Sequence, residues 1–187
     1  MDHLGIDYGS NLAGTTALCY KLQDQLIVTS SEKKKNADNF IKTFVNDHDC
    51  NSIFIDAPLT LPQAYFQQGN DYFYRDCDRE LKAMSPMFLG GLTARAIALK
   101  NQLSDLVFYE TYPKQLVRLQ SQIIQNFYKK DIIEFGNLLK SSLPYPVVSD
   151  LFTWHQIDSV LAWWSGYRHS QKKASIYGKE EEGLIIV

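Results

Sequence analysis

Four acidic residues interrupt or end runs that are otherwise apolar. Asp7 lies inside Leu4-Gly5-Ile6-Asp7-Tyr8-Gly9, Asp56 follows Ile53-Phe54-Ile55, and Glu110 follows Val107-Phe108-Tyr109. Asp158 sits among Ile157, Val160, Leu161, Trp163 and Trp164. A carboxylate among such neighbours is costly to desolvate unless a cation or hydrogen-bond donors compensate it. Taken singly, each reads as a strand-end or capping acid whose oxygens meet backbone N–H groups. Taken together, at the ends of elements that can be neighbours in one sheet, they read as a metal site. Hard carboxylate oxygens suit Mg²⁺ or Mn²⁺, which keep several waters and need few protein ligands each. Two such ions, about 3.5–4 Å apart, activate water and stabilise the leaving oxygen of a phosphodiester.

A second signal comes from the segment 150–167, the longest helical pattern in the chain. His155, Asp158, Ala162 and Ser165 are spaced i, i+3, i+7 and i+10, so a helix places them on one stripe. The small residues beyond Asp158 are expected to let this helix approach a sheet closely and bring His155 and Asp158 over the strand ends. The same spacing also fits a satisfied His–Asp pair on a partly buried helix.

The elements that must position these residues are legible in outline. Leu4–Tyr8, Thr15–Leu22 and Gln25–Thr29 read as three strands joined by turns, an antiparallel meander. Phe40, Ile41, Phe44 and Val45 share a helical face, with Asn36 or Asp38 as its cap. Ser52–Ile55 is a further strand, ended by Asp56-Ala57-Pro58. Leu92–Leu103 reads as a helix after Gly90-Gly91, Leu106–Tyr109 as a strand, and Leu116–Leu139 as one or two helices. The last segment, Ile176–Val187, has an apolar tail after Glu180-Glu181-Glu182-Gly183.

The chain has 187 residues, 45% of them hydrophobic, enough to fill a core. Nineteen Lys and Arg against 21 Asp and Glu give a net charge of -2, which excludes a wholesale basic coat and leaves room for a local basic face. The three cysteines, Cys19, Cys50 and Cys77, share no C-x-x-C spacing, so neither a disulfide framework nor a zinc knuckle is expected. No signal peptide or membrane-length apolar run is read, so the expected setting is the cytoplasm, with no membrane partner.

Gly5-Ile6-Asp7-Tyr8-Gly9-Ser10, Ile55-Asp56-Ala57-Pro58-Leu59 and His155-x-x-Asp158-Ser159 together resemble the RNase-H-like superfamily. More closely, the chain is similar to a family of predicted RNase-H-like nucleases. Arg75-Asp76-Cys77-Asp78-Arg79-Glu80-Leu81, Glu110-Thr111-Tyr112-Pro113 and Glu181-Glu182-Gly183 carry that narrower resemblance, which runs from about Gly5 to Val187. It implies a single α/β domain over 1–187 with an RNase-H-like fold. The central sheet is expected to be mixed and five-stranded, its first three strands antiparallel, flanked by helices and with helical insertions about 62–104 and 114–148. By position, the resemblance to RuvC-type resolvases makes Asp7, Asp56 and Asp158 the ligands of two Mg²⁺ or Mn²⁺ ions, Asp7 bridging. His155 then serves as base for the attacking water or orients Asp158. One departure is Asp56, with Pro58 shortly after it, where RuvC-type enzymes usually carry glutamate.

Glu110 and Glu182 are second-tier candidates, as outer ligands or caps. Ser10, Arg75 and Arg79 are the expected substrate contacts, with Tyr72, Phe73 and Tyr74 stacking bases of DNA or RNA. Against this, those aromatics also fit the apolar face of an amphipathic helix whose arginines pair with Asp76, Asp78 and Glu80. Two other functions remain open. Gly5-x-Asp7-x-Gly9-Ser10 with Gly14-Thr15-Thr16 also looks like the first phosphate loop of the actin and sugar-kinase ATPases, which need two such domains. The chain also fits a catalytically silent nucleic-acid-binding module.

Overall fold

The computed structural model describes residues 2–187. Short apolar-rich runs in the N-terminal segment form β1 (His3–Asp7), β2 (Ala17–Leu22) and β3 (Gln25–Ser30), paired antiparallel as expected. Helix α1 (Ala37–Asp47) follows, capped by Asn36, whose side chain accepts from the Asn39 N–H at 2.9 Å. The chain then returns as β4 (Ser52–Asp56), parallel to β1, and later as β5 (Val107–Glu110), parallel to β4.

Between β4 and β5 lie a 3₁₀ turn (Gln63–Phe66), α2 (Asp76–Leu81), α3 (Pro86–Leu89) and α4 (Gly91–Gln102). After β5 come α5 (Pro113–Arg118), α6 (Gln122–Phe127), α7 (Ile132–Ser142) and the long α8 (Trp154–Ser170). The anticipated helix at 150–167 thus starts later. Thr153 accepts from the Gln156 N–H while the Gln156 side chain reaches back to the Thr153 N–H, a reciprocal cap that fixes the first turn.

The sheet is α/β, mixed and flanked by helices, but it has seven strands rather than five, in the order β3-β2-β1-β4-β5-β7-β6. The two additional strands are a C-terminal hairpin, β6 (Ile176–Lys179) and β7 (Gly183–Ile186), with β7 parallel to β5 through Glu110 and Ile185. The hairpin covers the otherwise open edge of β5 and buries Ile185, Ile186 and Val187. Gly178 (φ +94°) and Gly183 (φ +121°) adopt backbone conformations that side-chain-bearing residues rarely take.

Period two assigns the faces. Leu4, Ile6, Ile53, Ile55 and Phe108 cluster with Ile41 and Phe44 of α1 and Ala96 and Leu99 of α4. Gly5, Asp7, Phe54 and Asp56 therefore point to the opposite face, where α8 packs. A Cβ on Gly5 would lie 2.2 Å from Trp163 N and 2.5 Å from Ser159 O, and one on Gly166 would lie 2.4 Å from His3 Cδ2. The close approach of α8 thus comes from Gly5 on the strand and Gly166 on the helix, not only from the small residues after Asp158. Cys19, Cys50 and Cys77 are buried and free. No helix among the described residues is long and apolar enough to cross a membrane.

Candidate functional site

Parallel pairing of β1 and β4 sets Asp7 directly beside Asp56, at the strand ends where the ladder stops. β1 lies between β2 and β4, which puts Asp7 on the central strand of the first five. Helix α8 crosses this end of the sheet with its first turn, so that His155 Nδ1 meets Asp7 Oδ2 at 2.8 Å. Asp158, one turn on, is 6% exposed and accepts from Tyr128 Oη at 2.9 Å and from Lys129 Nζ at 2.5 Å.

Asp56 differs from its neighbours. Among the described residues no hydrogen bond or ion pair reaches its carboxylate. It keeps some exposure to the cavity beside it, yet desolvation pushes its pKa well above the ordinary carboxylate value, and Asp7, Asp158 and Glu110 push it further. Burial also raises Asp7, against the opposing hydrogen bond from His155. Burial raises Asp158 to about 6 even though Lys129 and Tyr128 oppose the shift. The Asp7 hydrogen bond raises His155, which stands 46% exposed at the helix start.

A cavity of about 340 Å³ opens beside Asp7 and Asp56. Its walls include Tyr8, Pro58, Met84, Leu92 and Tyr112, and Thr111 lines it with a buried hydroxyl that lacks a hydrogen-bond partner. No family model matches the chain, and no curated protein or solved structure matches it. The chemistry must therefore be read from these side chains alone.

As the side chains stand, no three His, Cys, Asp or Glu residues among those described converge closely enough to hold a metal ion. The reason is visible: Asp7 is turned to His155 and Asp158 to Tyr128 and Lys129. The donor set nevertheless fits a hard divalent cation, with three carboxylates at one sheet end and one of them, Asp56, without a partner.

The other expected site residues are placed differently. Arg75 is fully buried, and all five of its N–H donors are used. Nε and Nη2 meet Asp78 at 2.9 and 2.7 Å, Nη1 and Nη2 meet Glu110 at 2.7 and 2.6 Å, and Nη1 also meets Thr60 Oγ1 at 2.8 Å. Arg75 is thus a structural clamp with no donor left for a substrate. Glu110 belongs to that clamp, accepting the Leu59 N–H as well at 3.0 Å. By alternation it shares the sheet face of Phe108, opposite to Asp56.

Glu182 accepts the N–H groups of Gln63 and Asp76, fastening the C-terminal hairpin to the segment after β4. Arg79 is exposed, pairs with Asp71 and stacks over the Tyr74 ring at 4.8 Å. Ser10 is exposed in the turn after β1. Tyr72 and Phe73 are exposed and precede α2, so they do not form the apolar face of a helix. Within the stripe on α8, His155 reaches Asp7 instead of Asp158. Tyr128 and Lys129 carry no signal in the sequence, because they lie between α6 and α7 with no period to aim them at Asp158, 30 and 29 positions away.

Proposed function

We propose that this chain is a divalent-metal-dependent phosphodiesterase acting on nucleic acid, with Asp7, Asp56 and Asp158 as its metal ligands. The observation that carries the reading is the partnerless Asp56 carboxylate, held beside Asp7 and within the field of Asp158 and Glu110. A fold-stabilising acid finds donors, as Glu110 does with Arg75 and Leu59. An acid kept in desolvated surroundings without them is retained at a cost to stability, which points to a ligand. The arrangement β3-β2-β1-β4-β5, with its antiparallel N-terminal meander, supports an RNase-H-like core to which the C-terminal hairpin has been added.

Bound at these carboxylates, Mg²⁺ or Mn²⁺ supplies charge for an attacking water and for the leaving oxygen. The protein's own contribution is clearest at His155. Asp7 accepts the Nδ1 proton, which leaves Nε2 as the lone-pair nitrogen on a half-exposed ring. The same hydrogen bond raises the basicity of the ring, so Nε2 is fitted to take a proton from water. Exposed aromatics favour a single-stranded or locally opened substrate. Phe73 and Phe88 are 53% and 63% exposed with ring centroids 5.7 Å apart. The Ser85 hydroxyl donates to the Phe73 carbonyl, which ties this patch to Met84 on the cavity wall. Such rings stack bases of any sequence.

The phosphate-loop reading finds less support. The N–H groups of Gly9 and Ser10, which a phosphate would need, donate to the hydroxyls of Thr16 and Thr15 at 3.1 and 3.2 Å. The deciding experiment is a cleavage assay with Mn²⁺ on single-stranded, duplex and branched DNA and RNA. Cleavage by the wild type that disappears in Asp7→Asn and Asp158→Asn is expected. Cleavage that survives in both variants, or none of any substrate, removes the proposal.

A further inference from the structure

Lys129 stands where a bound cation would be useful. Its ammonium pairs with Asp158, and it lies 5.2 Å from the ring centroids of both Tyr128 and Trp154. Lys129 itself adopts φ +59°, a left-handed conformation that a residue with a side chain takes only when its surroundings hold it there. The Lys129 side chain is 46% exposed, whereas the side chain of Asp158 beneath it is 8% exposed. A flexible ammonium reaching in from a solvent-facing turn is thus the main positive charge compensating a buried carboxylate.

We infer that Lys129 is a tethered counter-ion for Asp158, exchanged for a divalent cation when one binds. The inference rests on the metal-site reading above. It explains why no three of these side chains hold a metal as they stand: with Lys129 and Tyr128 holding it, Asp158 has both oxygens engaged. Lys129 eases the charge on Asp7, Asp56 and Asp158 alike, but it brings one positive charge where a divalent ion brings two. Binding must therefore first free Asp158, and the observed affinity is the intrinsic affinity reduced by the fraction of molecules in which Asp158 is free. Once displaced, Lys129 keeps the Tyr128 and Trp154 rings as a resting surface, while its turn loses the ion pair that holds it.

The test is direct titration of Mn²⁺, followed by loss of the free-ion electron paramagnetic resonance signal, on wild type, Lys129→Gln and Lys129→Arg. Lys129→Gln should bind Mn²⁺ about tenfold tighter or more, and Lys129→Arg should stay near wild type, because it keeps the competing charge. Equal or weaker binding by Lys129→Gln, with wild type binding normally, overturns the exchange while leaving the metal site intact. No binding by any of the three overturns the metal-site reading and the exchange with it. Hydrogen exchange on the wild type alone guards against a misfolded variant. Amides of 128–131 should exchange faster with saturating Mn²⁺ than without it, and unchanged or slower exchange there counts against displacement.

Discussion

At the scale of single residues, Asp56 and Glu110 contrast: under the metal-site proposal Asp56 is a ligand, whereas Glu110 is held in a structural clamp. Both end parallel strands and both have raised pKa values through burial. Glu110 meets a bidentate guanidinium and a backbone N–H, whereas Asp56 meets only other carboxylates and the more distant Lys129. Removing the Asp56 charge should therefore stabilise the fold while destroying the site. Asp56→Asn is expected to gain roughly 1–3 kcal/mol at pH 7.5, which for a chain of this length is about 2–12 °C in Tm. The pH dependence has a definite sign. Because the folded-state pKa of Asp56 lies above its ordinary value of 3.8, its unfavourable contribution is absent below that value and grows as pH rises through the folded pKa. The advantage of Asp56→Asn should thus be largest at neutral pH and vanish near pH 4, read by thermal melts of both proteins across that range. A variant less stable than wild type at pH 7.5 would show that Asp56 has a stabilising partner after all.

At the scale of elements, the site depends on how closely α8 lies on β1. Gly5 provides the contact, since a Cβ there would strike the backbone of Trp163 and Ser159, atoms that cannot rotate out of the way. Gly5→Ala should cost about 1–3 kcal/mol or more in a denaturant melt, by forcing the helix off the strand. It should also weaken Mn²⁺ binding, because His155 and Asp158 ride on the displaced helix. Unchanged stability would mean that the helix has slack at this crossing. The sequence revealed much of this layer. Short apolar runs between turn residues marked β1 to β4, and the acids that interrupt or end apolar runs picked out Asp7, Asp56 and Asp158. What it hid were contacts set by distant pairing. Arg75 looked balanced by its sequence neighbours, and Asp78 is one partner, but the clamp is completed by Glu110, 35 residues away. The C-terminal hairpin was read only as an apolar tail. Its strands have four residues each, too few for a period to emerge, and they gain their burial from β5 and α2.

At the scale of the whole molecule, a net charge of -2 gives nucleic acid no general attraction, so any affinity the proposed function needs must be created locally. The site itself is acidic, and among the residues that line the 340 Å³ cavity there is no Lys or Arg. Under the proposed function, a phosphodiester would approach three carboxylates only after their charge had been compensated, so metal binding would precede substrate binding. A metal held by all three acids would be a ligand of the native state alone, because unfolding scatters acids that lie 49 and 102 residues apart along the chain, between positions 7, 56 and 158. A ligand of this kind at one hundred times its Kd stabilises by about 2.7 kcal/mol. For a chain of this length the rise in Tm should be roughly 5–10 °C. Mn²⁺ should produce that rise in the wild type and a much smaller one in Asp56→Asn, whereas Na⁺ at matched ionic strength should produce none. A rise of equal size in wild type and Asp56→Asn would place the bound ion elsewhere on the protein. The two effects of Asp56→Asn also oppose each other: the variant should melt above wild type without metal, and the gap should narrow or reverse as Mn²⁺ is added. A simple loss of stability cannot produce that crossing, so the two melting series together separate a ligand from a structural acid.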